Sequence, residues 1–277
     1  INTAIHFGLE REIGSLTPGR RADVILTSDL ETLPIETVIA RGQIVAEDGA
    51  CLVDCPHYDW PPHARQTVNM GKALGADDFQ ITAPAGANAV TANVIGVVEN
   101  QAPTRALKFE LPVTEGRVQS TGEVCQIALV ERHRGTGTVV NALVSGFGYQ
   151  GPMAMASTVA HDSHHMIVVG TDTEHMAMAA NRLREVGGGI TIFKDGAELA
   201  MVELPIAGLM SDNPASDVAD KTEAMMQAMR DCGCTLNNAY MQHSLLALVV
   251  IPELRISDLG LVDVRSFEFI PLLEPVS

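Results

Sequence analysis

Three imidazoles and a carboxylate, His161, His164, His165 and Asp162, fall within five residues of the stretch TVAHDSHHMIVVGTD. An imidazole titrates near neutrality, so it can carry a proton or hydrogen-bond a ring nitrogen of a ligand. Asp162 could orient a neighbouring imidazole or accept from an amine. On a helix, His161 and His165 would share one face at a spacing that binds zinc. On a strand, His161, Ser163 and His165 would share one face, with Asp162 and His164 on the other. The same residues also fit a purely structural loop, in which Ser163 and Asp162 turn the chain and the imidazoles bond backbone.

Other candidates are weaker on their own residues. Ser145 lies in LVSGFG, which lacks the first glycine of the Gly-x-Ser-x-Gly nucleophile elbow. The glycines from Gly146 to Gly151 do not follow Gly-x-Gly-x-x-Gly, although they would let backbone approach a ligand. Arg132, His133 and Arg134 precede two glycines in VERHRGTGTV. That stretch suits a basic loop over an active-site mouth and suits a solvated hairpin tip equally. Asp212 is placed to cap or turn into a helix after Ala215.

These residues need elements to hold them. The run from Met166 to Val169 reads as a buried strand ending at Gly170, so the cluster sits where a loop enters a strand. Residues 12–49 read as short β-elements, with a turn at Pro18-Gly19, a strand over 22–26, and two strands about Arg41-Gly42. Residues 51–89, broken by Pro56, Pro61 and Pro62, read as a linker or wrapping segment. Strand-like runs follow at 91–98, 106–111, 124–131, 139–144, 166–169 and 190–193. A hairpin is expected about Asp195-Gly196. Amphipathic helices are expected over 173–186 and 215–231. Further strands are expected within 245–264 and 266–273. Residues 90–277 therefore read as a mixed α+β domain.

Composition narrows the function classes. A chain of 277 residues with 46% hydrophobic and 19% charged residues is globular. Its net charge of −16 argues against a nucleic-acid backbone or an anionic membrane as main partner. No apolar run approaches the roughly 20 residues that a spanning helix needs. The five cysteines form no dense framework, which suits reduced thiols in the cytoplasm. Cys51 and Cys55 could make half of a zinc site, but no Cys-x2-Cys pair follows. Cys232-Gly233-Cys234 is too tight for a structural zinc pair. The opening INTAIHFGLEREIGSL carries Ala4, Ile5 and Leu9 as an apolar stripe at helical spacing, with Gly8 as its expected cap. It is expected to belong to a larger polypeptide whose N-terminal portion is not included here.

GLEREIGSLTPGRRADVIL, followed by VIARGQIVAEDG, resembles the C-terminal flank of amidohydrolase-superfamily enzymes. There such a segment closes a small β-sandwich beside a metal-dependent barrel. LVSGFGYQGPMAMASTVAHDSHHMIVVGTD, MAMAANRLREVGGGI, ELPIAGLMSD and FIPLLEP, in that order, resemble the C-terminal domain of the bacterial adenine deaminases. The resemblance implies three parts: residues 1–50 as barrel end and β-sandwich remnant, 51–89 as linker, and 90–277 as the α+β C-terminal domain. It implies hydrolysis of adenine to hypoxanthine and ammonia at a binuclear divalent metal centre, with manganese or iron, in a homo-oligomer. The sequence contains no His-x-His, so the metal ligands are expected in the barrel portion and none in these residues. Under this resemblance His161, Asp162 and His165 are the expected catalytic residues. Ser163, His164, Ser145 and Arg132 are the expected substrate contacts. The alternative is a structural or oligomerising module that contributes no site residue.

Overall fold

The computed structural model describes residues 1–54 and 56–274. The chain divides into two compact units, Ile1–Asp59 and Trp60 onward. In the first, helix α1 (Asn2–His6) precedes four strands: β1 (Val24–Thr27), β2 (Ile35–Ala40), β3 (Gln43–Glu47) and β4 (Ala50–Cys51). They form one antiparallel sheet in chain order. The β2–β3 turn takes φ of 50° at Arg41 and 80° at Gly42, the left-handed pair that a two-residue hairpin requires. Of the apolar stripe expected here, Ala4 is buried, whereas Ile5 and Leu9, the latter beyond α1, are 57% and 42% exposed.

The second unit is α+β and built on a broad sheet. After α2 (Pro62–Arg65) and a 3₁₀ turn over Ala76–Phe79 come β5 (Ala89–Gly96), β6 (Arg105–Thr114), β7 (Arg117–Val118), β8 (Val124–Val130) and β9 (Val139–Ser145). Next are β10 (Met153–Ser157), β11 (Met166–Gly170), α3 (Thr173–Val186), β12 (Gly189–Lys194) and β13 (Ala197–Glu203). Helices α4 (Ala215–Asp231) and α5 (Ala239–Leu245) lead to β14 (Leu254–Ser257), β15 (Gly260–Asp263) and β16 (Glu268–Ile270). Among the described residues, β5–β13 form one nine-stranded sheet in the order 13-12-10-11-8-9-5-6-7, and β14–β16 form a separate antiparallel sheet. The pairing is antiparallel except between β5 and β9.

Both faces of the sheet centre are covered, which is why β8, β10 and β11 are buried along their whole length. On one face Ala128, Val130, Ala156, Met166 and Val168 meet α3 through Met176, Ala179, Ala180 and Leu183. Met70 and Phe79, from the stretch after α2, join that layer with no exposed surface. On the other face Ile127, Leu129, Met155, Ile167 and Val169 meet Met225, Ala228 and Met229 of α4. Helix α3 starts at Asp172, whose Oδ1 accepts from the Glu174 and His175 amides, and ends at Gly187 in the left-handed region.

The run from Leu245 to Val250 is not a strand. It completes α5 and continues as turns, with the Leu248 amide donating to Leu245 O and the Ile251 amide to Leu248 O. Short apolar runs carry no period that separates strand from buried turn. Cys51, Cys125, Cys232 and Cys234 are free thiols. Cys55 lies outside the described residues, so the proposed Cys51–Cys55 pair does too. Burial pushes the Cys125 thiol up to about 12 and Cys232 to about 11, so both are unreactive at neutral pH.

Candidate functional site

The His-rich loop joins β10 to β11, at the end of the sheet where Met166 pairs with Val130. It is pinned mainly through backbone. The His161 amide donates to Ser244 O at 3.0 Å, and the His164 amide donates to Ala160 O at 2.7 Å. Just before the loop, Thr158 Oγ1 donates to Gly208 O at 2.6 Å and accepts from the Gly189 amide at 2.8 Å. His164 takes φ of 51°, a left-handed conformation that turns its neighbours apart.

That turn separates the imidazoles into two pairs. His161 and His164 meet edge to face with ring centroids 5.3 Å apart. His165 instead meets His133, with centroids 4.7 Å apart. Neither the helical nor the strand grouping of His161 with His165 forms, because the strand begins only at Met166. Asp162 and Ser163 are exposed at the loop tip. The Ala160 amide donates to His164 Nδ1 at 3.3 Å, which places that ring's proton on Nε2 when it is neutral. Burial, aided by His161 and Arg132, lowers the His164 pKa and favours that neutral form.

His165 is 7% exposed. Its Nε2 stands 3.5 Å from Asp258 Oδ2 in the β14–β15 turn, and its buried Nδ1 has no hydrogen-bond partner. Burial lowers its pKa; Asp258 pulls it back up, while His133 pushes it further down. His133 Nε2 donates to Ser163 O at 2.8 Å, since a carbonyl only accepts. Glu131 folds this neighbourhood: Oε1 accepts from the His133 and Arg134 amides, and Oε2 from the Thr136 amide and hydroxyl. Burial would raise the Glu131 pKa, but these donors outweigh it and hold the carboxyl at about 2. Glu131, His133, Arg134, His165, Asp258 and Leu259 line a cleft of about 420 Å³, together with Thr136 and Thr138.

Arg132 is 1% exposed and acts on the loop from behind. Nε donates to His164 O at 2.5 Å, Nη1 to Thr67 O at 3.0 Å, and Nη2 to Ala207 O at 3.2 Å. Gly208 gives it room, since a Cβ there would lie 2.9 Å from Nη1. The guanidinium thus reaches protein carbonyls, not the cleft. Ser145 is not brought to the cluster. It pairs with Val124, six residues along β8 from the Val130 that faces Met166, and at roughly 3.4 Å per residue this separates it by about 20 Å. Asp212 is not a helix cap either: Arg65 Nη2 bonds its Oδ2 at 2.5 Å, and Pro214 occupies the cap position.

Sequence reasoning missed the His133–His165 pairing, Glu131 and Asp258. The two-residue gap between the apolar runs RIS and GLVD signals a hairpin, but not what its tip would face. Among the described residues, no group of three or more His, Cys, Asp or Glu side chains is placed to hold a metal ion. The residues present therefore do not fit a binuclear centre.

Residues 101–268 match the sequence family described as the adenine deaminase C-terminal domain. The chain is 84% identical over 274 residues to an adenine deaminase of Roseobacter denitrificans, covering 99% of this chain and 46% of that protein. It is 78% identical over 275 residues to one of a Ruegeria species, with the same 99% and 46% coverage. It is 40% identical over 275 residues to one of Moorella thermoacetica, again at 99% and 46%. The chain thus spans a little under half the length of these relatives, and it belongs to the adenine deaminase family.

Proposed function

We propose that the chain is the C-terminal portion of a metal-dependent aminohydrolase that converts adenine to hypoxanthine and ammonia, with its 161–165 loop bordering the substrate pocket. The 84% identity across 99% of the chain to an adenine deaminase carries this reading. The metals, manganese or iron, belong to the barrel portion outside these residues. The four-stranded sheet of Ile1–Asp59 is then the β-sandwich remnant of the amidohydrolase, and the whole enzyme a cytoplasmic homo-oligomer acting on a free purine. The net charge of −16 fits a small-molecule partner better than nucleic acid or an anionic membrane. No described helix is long and apolar enough to cross a membrane.

In this reaction water adds at C6 and the exocyclic amine leaves as ammonia. The attacking water must lose a proton and the leaving nitrogen must gain one. His161 and His165 supply imidazoles, which can accept or donate a proton, and Asp162 supplies an exposed acceptor for an amine. His164, through its Nε2–H, and Ser163 serve as hydrogen-bonding contacts. Arg132 acts by holding the His164 carbonyl.

A second reading, a structural module without site residues, draws on the bonds of Arg132 and Glu131 to backbone. One experiment separates the two. His161→Ala, Asp162→Ala and His165→Ala are made in the full-length enzyme, and turnover, bound metal and thermal midpoint are measured. A fall in turnover of about 10²–10⁴ with metal and midpoint intact supports the first reading. Near-normal turnover in all three variants supports the second.

A further inference from the structure

The cleft beside β11 brings together residues that lie far apart in the sequence. His165 immediately precedes β11 of the broad sheet, and Asp258 sits in the two-residue turn of the β14–β15 hairpin. Yet His165 Nε2 and Asp258 Oδ2 are 3.5 Å apart. The imidazole is more than nine-tenths buried and its Nδ1 lacks a partner. A buried ring with one unpartnered nitrogen takes its tautomer from whatever faces the other nitrogen. Here that is a carboxylate, which only accepts at neutral pH.

We propose that Asp258 is a positioning residue for His165, holding the imidazole in its Nε2–H tautomer at the wall of the cleft, so that the 258–259 hairpin tip is part of the adenine deaminase site. This rests on the reading that the 161–165 loop borders the substrate pocket.

The surroundings single out Asp258 for the role. From the β8–β9 segment, Glu131, Arg132, His133 and Arg134 approach His165; Asp258 approaches it from the β14–β15 turn. Glu131 has both oxygens tied to the Thr136, Arg134 and His133 loop. Arg132 is tied to carbonyls, and His133 Nε2 to Ser163 O. Asp258 is thus the carboxylate at ion-pair distance from the ring, opposed by the imidazole and guanidinium groups around it. A negative charge there favours the protonated imidazole, so its removal moves the His165 titration to lower pH.

The test is the pH dependence of kcat and of kcat/KM in the full-length enzyme for wild type, His165→Ala, Asp258→Asn and Asp258→Glu. Asp258→Asn keeps the side chain's size and removes its charge. The expected result is a lower kcat with KM nearly unchanged, and the His165-dependent limb displaced downward by roughly half to one pH unit. Asp258→Glu is expected to restore the wild-type limb. If His165→Ala alters turnover while Asp258→Asn leaves the limb in place, the positioning role is overturned and the site reading stands. If His165→Ala has wild-type turnover, the positioning role is overturned, while His161→Ala and Asp162→Ala decide the site reading. Should Asp258→Asn lower the thermal midpoint by several degrees, Asp258→Glu decides instead. A wild-type limb in that variant supports the role, and a limb displaced like that of a charge loss overturns it.

Discussion

Arg132 reaches across the sheet end to His164: its Nε–H donates to the His164 carbonyl at 2.5 Å, from within a site where the guanidinium is 1% exposed. The same side chain holds Thr67 and Ala207, so one residue ties three separate segments to the end of β8. Burial lowers its pKa to about 10, which still leaves it charged at neutral pH.

Replacing Arg132 by lysine keeps the charge but loses the planar fork that satisfies carbonyls in three directions. The expected cost is about 2–4 kcal/mol, read as a fall of several degrees in thermal midpoint. Turnover of the full-length enzyme should also fall, because the His164 carbonyl is released. A midpoint within a degree of wild type would show that the contacts are dispensable.

Glu131 governs the neighbouring turn, and its effect has a sign in pH. Its carboxyl is held at about 2, against 4.5 ordinarily, so the folded state binds its proton less readily than the unfolded chain. Its contribution, on the order of 2–3 kcal/mol, is complete above about pH 4.5 and is lost as pH falls toward 2. Glu131→Gln offers one acceptor oxygen where four donors converge. It should lower the midpoint at pH 7 and show a smaller loss than wild type between pH 5 and pH 3. Parallel loss in both proteins would assign the acid sensitivity elsewhere.

Which parts were readable from sequence follows from where the information lies. Helices α3 and α4 carry complete amphipathic periods, and the Asp195-Gly196 hairpin carries its own turn chemistry, with φ of 49° and 81°. Strand β10, MAMAS, shows no such signal: alanine and methionine favour helix, and only its place between β11 and β12 makes it a strand. The five-residue histidine cluster was visible as composition, but its division into two pairs was not. His164's left-handed backbone sets that division, and the partners of His165 come from residues 133 and 258. Arg132, which looked like a surface group in a basic loop, is buried because carbonyls from three segments converge on it.

His243 offers the sharpest stability test. It lies on α5 with no exposed surface, its ring centroid 5.9 Å from that of Phe147, and neither ring nitrogen has a hydrogen-bond partner. Burial drives its pKa down to about 3, from 6.5 ordinarily. The folded protein therefore refuses a proton that the unfolded chain accepts. Above about pH 6.5 this makes no difference; below it, stability falls by roughly 1.4 kcal/mol per pH unit until the folded group itself titrates near 3. His243→Leu removes the titration and both unpartnered nitrogens while keeping apolar volume. Its midpoint should match or exceed wild type at pH 7, since an unsatisfied buried polar group costs about 1–3 kcal/mol. The gap between variant and wild type should then widen steadily from pH 6.5 to pH 4.5. The same helix carries Ser244, whose carbonyl holds the His161 amide at 3.0 Å, so acid loosening of α5 should also free the His-rich loop. Hydrogen exchange at the His161 amide, measured at pH 7 and pH 5 and corrected for intrinsic rates, checks this. Wild type should lose protection on acidification and His243→Leu should keep it; a constant gap in midpoint and equal loss of protection in both would show that His243 is not the acid-sensitive group.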